Sequence, residues 1–254
     1  MANFEDNFLM HTFNENSGNL LEKNLLATID DNNYKKNLQE KLEEVFITQN
    51  YSTFKSSNDP VGLLLELKKR SPEKYQELKK EHASEIKNFI EERISKNRHK
   101  FLNELSVEEQ FKIIEKSQPK NSDPTEPMTS FADDLHATIV DELGIDYENL
   151  EYYTAVNSHL DYCGVDAFLK FKYLDSKGKE KETRICLDIT KNSMAGKMEQ
   201  QKEKARAGGK SLSDIVVFAE NENYSRKRPE DHDLMEKTAK EIIKIYKQKI
   251  EGRN

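Results

Sequence analysis

Two carboxylates interrupt runs that are otherwise built for β-strands. Asp166 follows Gly164-Val165 and opens Ala167-Phe168-Leu169-Lys170-Phe171-Lys172-Tyr173, and Asp188 sits inside Arg184-Ile185-Cys186-Leu187-Asp188-Ile189-Thr190-Lys191. A polar turn around Ser176-Lys177-Gly178 separates the runs, which reads as a hairpin. A register centred on Lys177 sets Asp166 opposite Asp188, because the two numbers sum to twice 177, and opposed residues on one face have Cβ atoms only about 5 Å apart. Carboxylates that close repel unless a proton or a cation lies between them. A hard divalent cation such as Mg²⁺ or Mn²⁺ suits oxygen ligands best. Asp188 in particular would be costly to bury unpaired among Ile185, Cys186, Leu187 and Ile189.

The elements that must position this pair are legible in the spacing. Phe131, Leu135, Ile139, Val140 and Leu143 mark one face of a helix that stops at Gly144, where glycine supplies a left-handed C-terminal residue. Tyr152 to Val156 is a strand, the hairpin follows, and Asn192 to Ala207 is an amphipathic helix ending at Gly208-Gly209. Asp214 to Ala219 is a short, nearly all-apolar strand, and a last helix runs from about Asp233 to Ile250. The N-terminal half reads as helices throughout: Leu20, Leu21, Leu25 and Leu26 in a first, then Tyr34, Leu38, Leu42, Val45 and Phe46 at helical spacing in a second. Asp59-Pro60 starts a short third helix and Ser71-Pro72 a long fourth, striped by Tyr75, Leu78, His82, Ile86, Phe89, Ile90 and Ile94. Ser106 and Glu109 form a capping box for a fifth. His82 reads as a core or boundary histidine. Between the halves, residues 117 to 127 hold three of the six prolines and almost nothing apolar, as a linker does. The expected organisation is a helical domain over 1–117, a linker over 118–129 and an α+β domain over 130–254.

Composition narrows the classes. The chain has 254 residues, 35% of them hydrophobic and 34% charged, with a mean hydropathy of -0.90. No apolar run approaches the roughly 18 residues that a transmembrane helix needs. The N-terminus lacks a basic region followed by an apolar core, and Cys163 and Cys186 are the only cysteines, so a soluble, cytoplasmic protein without a disulfide framework is expected. The two cysteines read as buried thiols. A net charge of -7 argues against indiscriminate nucleic-acid binding, yet Lys170 to Arg228 carries 15 Lys+Arg against 9 Asp+Glu. That basic stretch surrounds the acidic pair, either to attract a phosphate-bearing substrate or simply to solvate one face of a sheet and helix.

The order helix, three strands, helix, strand, helix, with an Asp opening the second strand and Asp-x-Thr closing the third, resembles the PD-(D/E)xK nuclease superfamily over residues 130 to 220. The resemblance implies an α-β-β-β-α-β core with a mixed sheet flanked by helices, and Asp166 and Asp188 as ligands of one or two Mg²⁺ or Mn²⁺ ions, with the Ile189 carbonyl as a further ligand. Thr190 stands where the family has a lysine, and Val165 where it has a proline. The superfamily's cap-snatching viral endonucleases are similar here: they have an acidic-x-Thr strand end, a lysine displaced onto the next helix and a histidine ligand from the first helix. That likeness implies Lys197 as the displaced lysine and His136 as a ligand, and imidazole would favour Mn²⁺. Lys191 and Lys210 are competing lysines, and Gln201, one turn beyond Lys197, could touch phosphate. Asp134 or Asp141 could instead supply the acidic residue that the family carries on its first helix. Asp161 is either an outer ligand or turn chemistry.

The function so implied is a metal-dependent endonuclease that hydrolyses phosphodiester bonds in DNA or RNA. The alternative is a catalytically silent nuclease-fold module that binds protein or nucleic acid, since loss of the lysine is what such decay would look like. The N-terminal helices are then the place for a protein partner or self-association, and no membrane is expected.

Overall fold

The computed structural model describes residues 20–96, 105–190, 212–221 and 223–252. The described elements run, in chain order, α1 (Leu20–Leu26), α2 (Asp31–Asn50), α3 (Ser52–Lys55), α4 (Pro60–Arg70), α5 (Pro72–Glu81), α6 (Ala83–Lys96) and α7 (Val107–Glu115). They continue with α8 (Ser130–Leu143), β1 (Leu150–Thr154), α9 (His159–Tyr162), β2 (Ala167–Leu174), β3 (Glu180–Thr190), β4 (Ile215–Phe218) and α10 (Pro229–Glu251). The expected helix Asn192 to Ala207 lies outside the described residues, as do Lys191, Lys197, Gln201 and Lys210. No described helix is long and apolar enough to cross a membrane.

The β2–β3 hairpin is set by its turn. The Asp175 carboxylate accepts the N–H groups of Lys177 and Lys179, both at 2.9 Å, and Gly178 takes a left-handed φ of 72° that a side chain would resist. Pairing then runs from Leu174 with Glu180 to Ala167 with Leu187, which is the register centred on Lys177. β1 pairs antiparallel with β2, and β4 pairs parallel with β3, giving a four-stranded mixed sheet in the order β1-β2-β3-β4. The alternation of a strand turns Leu169, Phe171, Ile185, Leu187 and Ile189 into one core with Phe131, Leu135 and Ile139 of α8 and Met235, Ala239, Ile242 and Tyr246 of α10. Phe171 stacks on Tyr246 with ring centroids 4.3 Å apart. Lys249 ties α10 to the sheet by donating to the Arg184 carbonyl at 2.8 Å and pairing with Asp214 at 2.7 Å. Gly144 ends α8 at φ 60°, as expected. Both cysteines are free thiols, and burial pushes that of Cys186 up to about 12.

The division of the chain differs from the one expected. One compact unit comprises residues up to Asp31 together with Ser117 onward, and residues 32–116 form the other. The helix α1 therefore belongs with the sheet: Leu21, Leu25 and Leu26 are buried in the same core as Phe131 and Leu187. The Asp30 N–H donates to the Ser117 carbonyl at 2.8 Å, so the chain leaves and re-enters this unit at adjacent points, and the helical half is an insertion. Hydropathy spacing reports that α1 is amphipathic but not which core its stripe joins.

Residues 117 to 127 are likewise more than a spacer. Gln118 clamps the Thr154 main chain, donating to its carbonyl and accepting from its N–H, both at 3.0 Å, and the Tyr152 N–H donates to the Pro124 carbonyl at 2.8 Å. Thr125 donates through its N–H and hydroxyl to Asp123.

Within the helical unit, the caps follow the sequence. Asp59 accepts from Gly62 N–H at 2.9 Å, and Ser106 and Glu109 close a reciprocal capping box. The expected long fourth helix is two helices, broken at His82, where φ is -103° and ψ 16°. The His82 Nδ1 lies 2.6 Å from a Glu85 oxygen three residues ahead, a spacing that serves a helix start better than a helix interior. Replacing Phe171 by alanine should cost about 3–5 kcal/mol in urea unfolding, because a cavity opens beneath α10 and Tyr246 keeps its edge-on contact with Tyr173 but loses its stacked partner.

Candidate metal centre

The site starts from a tight connection between β1 and β2. Asn157 takes a positive φ of 73°, which asparagine tolerates better than most residues, and its N–H donates to Asp161 Oδ2 at 2.9 Å. Ser158 accepts from the Leu160 N–H at 3.1 Å and starts the single turn α9, while Gly164, at φ 76°, folds the chain back so that the Val165 N–H reaches the Leu160 carbonyl at 2.9 Å. Asp161 is thereby returned beside Asp166.

Asp166 is held on three sides. Its N–H donates to the Leu187 carbonyl at 2.8 Å, its carbonyl accepts from the Ala155 N–H at 2.8 Å, and its Oδ2 accepts from the Ile189 N–H at 2.6 Å. The side chain is thus pinned to the end of β3, where Asp188 and Thr190 are both buried. Alternation along β3 places these two on the face opposite Ile185, Leu187 and Ile189. The Thr190 carbonyl accepts from the Ala219 N–H at 3.1 Å.

The third carboxylate comes from the first described helix. The carbonyls of Leu25, Leu26 and Ala27 at the end of α1 accept from the hydroxyls of Thr129, Tyr152 and Thr154, at 2.5, 3.4 and 3.0 Å, and the Ile29 N–H donates to the Val156 carbonyl at 3.3 Å. These bonds fasten α1 to the end of β1 and bring Glu22 to the cluster. Carboxylate oxygens of Glu22, Asp161 and Asp166 all lie within 4.8 Å of one another.

The electrostatics follow from that crowding. Burial pushes the Asp166 carboxyl well above the usual carboxylate range, the charges of Asp161, Glu22 and Asp188 push it further, and only the Ile189 N–H works the other way. Burial and the Asp166 charge also raise the Tyr152 phenol. Three or four carboxylates at this density suit a hard divalent cation bound through oxygen.

The structure sorts the expected site residues into two groups. Asp166 and Asp188 are brought to adjacent strand ends, with Thr190 beside them, and Ile189 reaches Asp166 through its N–H. His136 is not brought to this cluster. It is buried on α8 with Nε2 2.8 Å from the Leu150 carbonyl, at the opposite end of β1, roughly 13 Å along the strand from Thr154. Its ring lies against Tyr147, and burial lowers its pKa, so it is a neutral N–H donor. The argument for Mn²⁺ over Mg²⁺ that rested on this imidazole therefore falls, and an all-oxygen set accepts either ion.

Neither alternative for the first-helix acid joins the cluster. Asp134 accepts from the Tyr224 hydroxyl and the Arg226 guanidinium, both at 2.8 Å, and Asp141 is exposed. Glu22 was the residue that sequence reasoning missed. Its signal was its place four residues before Leu26, which put a carboxylate beside the apolar stripe of a short helix.

The raised pKa of Asp166 has a definite sign in stability. Between the ordinary carboxylate range and the folded value, the unfolded chain has released a proton that the folded chain keeps, so stability falls as pH rises through that window and is unpenalised below it. In EDTA, Asp166→Asn should therefore melt above the parent protein at neutral pH, with the gap closing toward pH 4, as read by thermal shift.

Comparison of the chain with protein-family models, with curated proteins and with solved structures gives no match, so the reading of the site stands on its geometry.

Proposed function

We propose that the chain is a divalent-metal-dependent phosphodiester hydrolase, a nuclease acting on DNA or RNA, with its site at Glu22, Asp161, Asp166 and Asp188. The observation that carries this reading is the convergence of carboxylate oxygens of Glu22, Asp161 and Asp166 within 4.8 Å beside Asp188, whose mutual repulsion a divalent cation would relieve. The mixed sheet, with acids at the adjacent ends of β2 and β3 and an acid from a preceding helix, supports membership of the PD-(D/E)xK superfamily. In this reading Glu22 is the first-helix acid, in a place that the linear motif did not mark.

A bound Mg²⁺ or Mn²⁺ supplies Lewis acidity toward a phosphoryl oxygen and lowers the pKa of water. The protein's own residues do the rest. Asp166 is aimed by the Ile189 N–H, and Asp161 by the Asn157 N–H, so neither carboxylate must reorganise when a cation or a phosphate arrives. The basic stretch from Lys170 to Arg228 draws a polyanion toward an otherwise acidic site. Lys197, outside the described residues, is the proposed cation beside the attacking water, in place of the lysine replaced by Thr190; Lys191, Lys210 and Gln201 are proposed phosphate contacts.

The test is a Mg²⁺ and Mn²⁺ titration of the purified protein with labelled single-stranded and duplex DNA and RNA. At a metal concentration of about 100 times Kd, binding should add about 2.7 kcal/mol, a rise of roughly 5–10 °C in Tm. Asp166→Asn and Asp188→Ala should abolish that rise and slow cleavage by at least roughly 10²-fold, and Lys197→Ala should slow cleavage by about 10²–10⁴-fold while keeping the metal-dependent shift. Cleavage that is undiminished in EDTA, or that runs at the parent rate in the Asp188→Ala variant, would sink the nuclease reading. Metal-dependent stabilisation with no cleavage of any of the four substrates would favour a catalytically silent, metal-binding module.

A further inference from the structure

The sheet has two edges, and the described residues treat them differently. Along β1, the N–H groups of Tyr152 and Thr154 are taken up by Pro124 and Gln118, so the proline-rich segment covers that edge. The other edge is β4, whose one neighbour among the described strands is β3. The Asp214 N–H turns inward to the Cys186 carbonyl at 2.8 Å, so the two-residue alternation points the main-chain groups of Ile215 and Val217 away from β3. Edge strands are usually guarded by a lysine, a proline or a bulge. Ile215-Val216-Val217-Phe218 has none of these.

A groove of about 550 Å³ opens between this edge and α10. Leu234 of α10 gives it a half-buried apolar floor, while Val216 and Phe218, paired with Asp188 and Thr190, turn to the other face of the sheet. Its rim is acidic: among the described residues that line it, Glu220, Glu230, Asp233 and Glu241 are exposed against Lys237, with Glu241 paired to Lys244 at 2.9 Å. That charge decides among occupants. A second copy of the chain would bring the same carboxylates face to face, and the exposed acids of the rim give a polyanion no cation to pair with beyond Lys237 among the groove's described residues. An extended peptide with basic side chains satisfies both the bare main chain and the rim.

We propose that β4 is a docking edge for an extended, lysine- or arginine-bearing segment of a partner protein. The segment adds as a fifth strand, pairing with the main chain of Ile215 and Val217, with alternate side chains on the apolar floor and its cations over the acidic rim. The edge lies one strand away from Asp188, which pairs with Val216, but strand addition there does not depend on the nuclease reading.

The test uses the full chain and a fluorescein-labelled, end-blocked Lys-Val-Lys-Thr-Lys-Val peptide, followed by fluorescence anisotropy. Saturable binding is expected, weakened at least tenfold in a variant combining Glu220→Lys, Asp233→Lys and Glu241→Lys. Binding should also weaken at least tenfold when alternate amides of the peptide are N-methylated, which removes strand pairing but keeps the charge. The three substitutions lie on exposed positions, and an unchanged melting temperature and metal-dependent shift will verify that the fold and the metal centre are intact. Three results would each overturn the proposal: no saturable binding, equal binding of the N-methylated peptide, or a dimer of the chain that excludes the peptide and persists in the variant.

Discussion

The register of the β2–β3 hairpin is the constraint on which the rest of the site depends. The Asp175 turn and Gly178 set it, and once Leu174 faces Glu180 every later pair is determined, up to Ala167 with Leu187. A slip of one residue would send Leu169, Phe171, Ile185 and Leu187 to the wrong face and remove the core that α8 and α10 cover. The same register delivers Asp166 and Asp188 to adjacent strand ends. Core burial and the placement of charge are therefore one choice, and the hydrophobic energy of the sheet is what holds like charges together.

Holding them there requires compensation nearby. Asp166 is nearly fully buried, and the direct donor to its carboxylate is one backbone N–H, that of Ile189. The other groups around it, Glu22, Asp161 and Asp188, push its pKa the same way as burial. Elsewhere the protein treats buried acids differently. Asp231 accepts from Asn221 and from the Ser225 N–H and pairs with Arg228, and Asp214 receives the Cys186 N–H and the Lys249 ammonium. Asp231 and Asp214 each face a cation as well as donors, whereas the charges that bear on Asp166 are those of the carboxylates Asp161, Glu22 and Asp188. That contrast, drawn within a single unit, is the physical argument for a cation there.

The helical unit of residues 32–116 is inserted between the first carboxylate and the other three. Insertion costs little where the chain crosses twice at the same place, as it does at Asp30 and Ser117, because loop-closure entropy grows slowly with the length of the inserted chain. It has a larger consequence for reading the protein. A site that is local in space is spread over 166 sequence positions, from Glu22 to Asp188, with a separately folded unit in between.

The sequence by itself determined the hairpin, its register, the glycine at the end of α8, the Asp59 cap and the Ser106–Glu109 capping box of the helical unit and the two acids on β2 and β3. Each of these is decided by residues within a few positions of one another, where side-chain periodicity and turn chemistry act directly. It also pointed to Asp161 without distinguishing ligand from turn, and in the structure Asp161 accepts the turn's N–H while its carboxylate lies in the cluster. Only the tertiary structure decided that α1 packs under the sheet, that Glu22 joins the acids, that His136 is spent on the Leu150 carbonyl, and that Gln118 and Pro124 close one sheet edge while β4, among the described strands, pairs with β3 alone. Those outcomes depend on which apolar stripe meets which core and on which main-chain groups remain unpaired at the end. Such pairings join residues 14 positions apart at His136 and Leu150, 36 at Gln118 and Thr154 and 127 at Ala27 and Thr154, and no local period carries them.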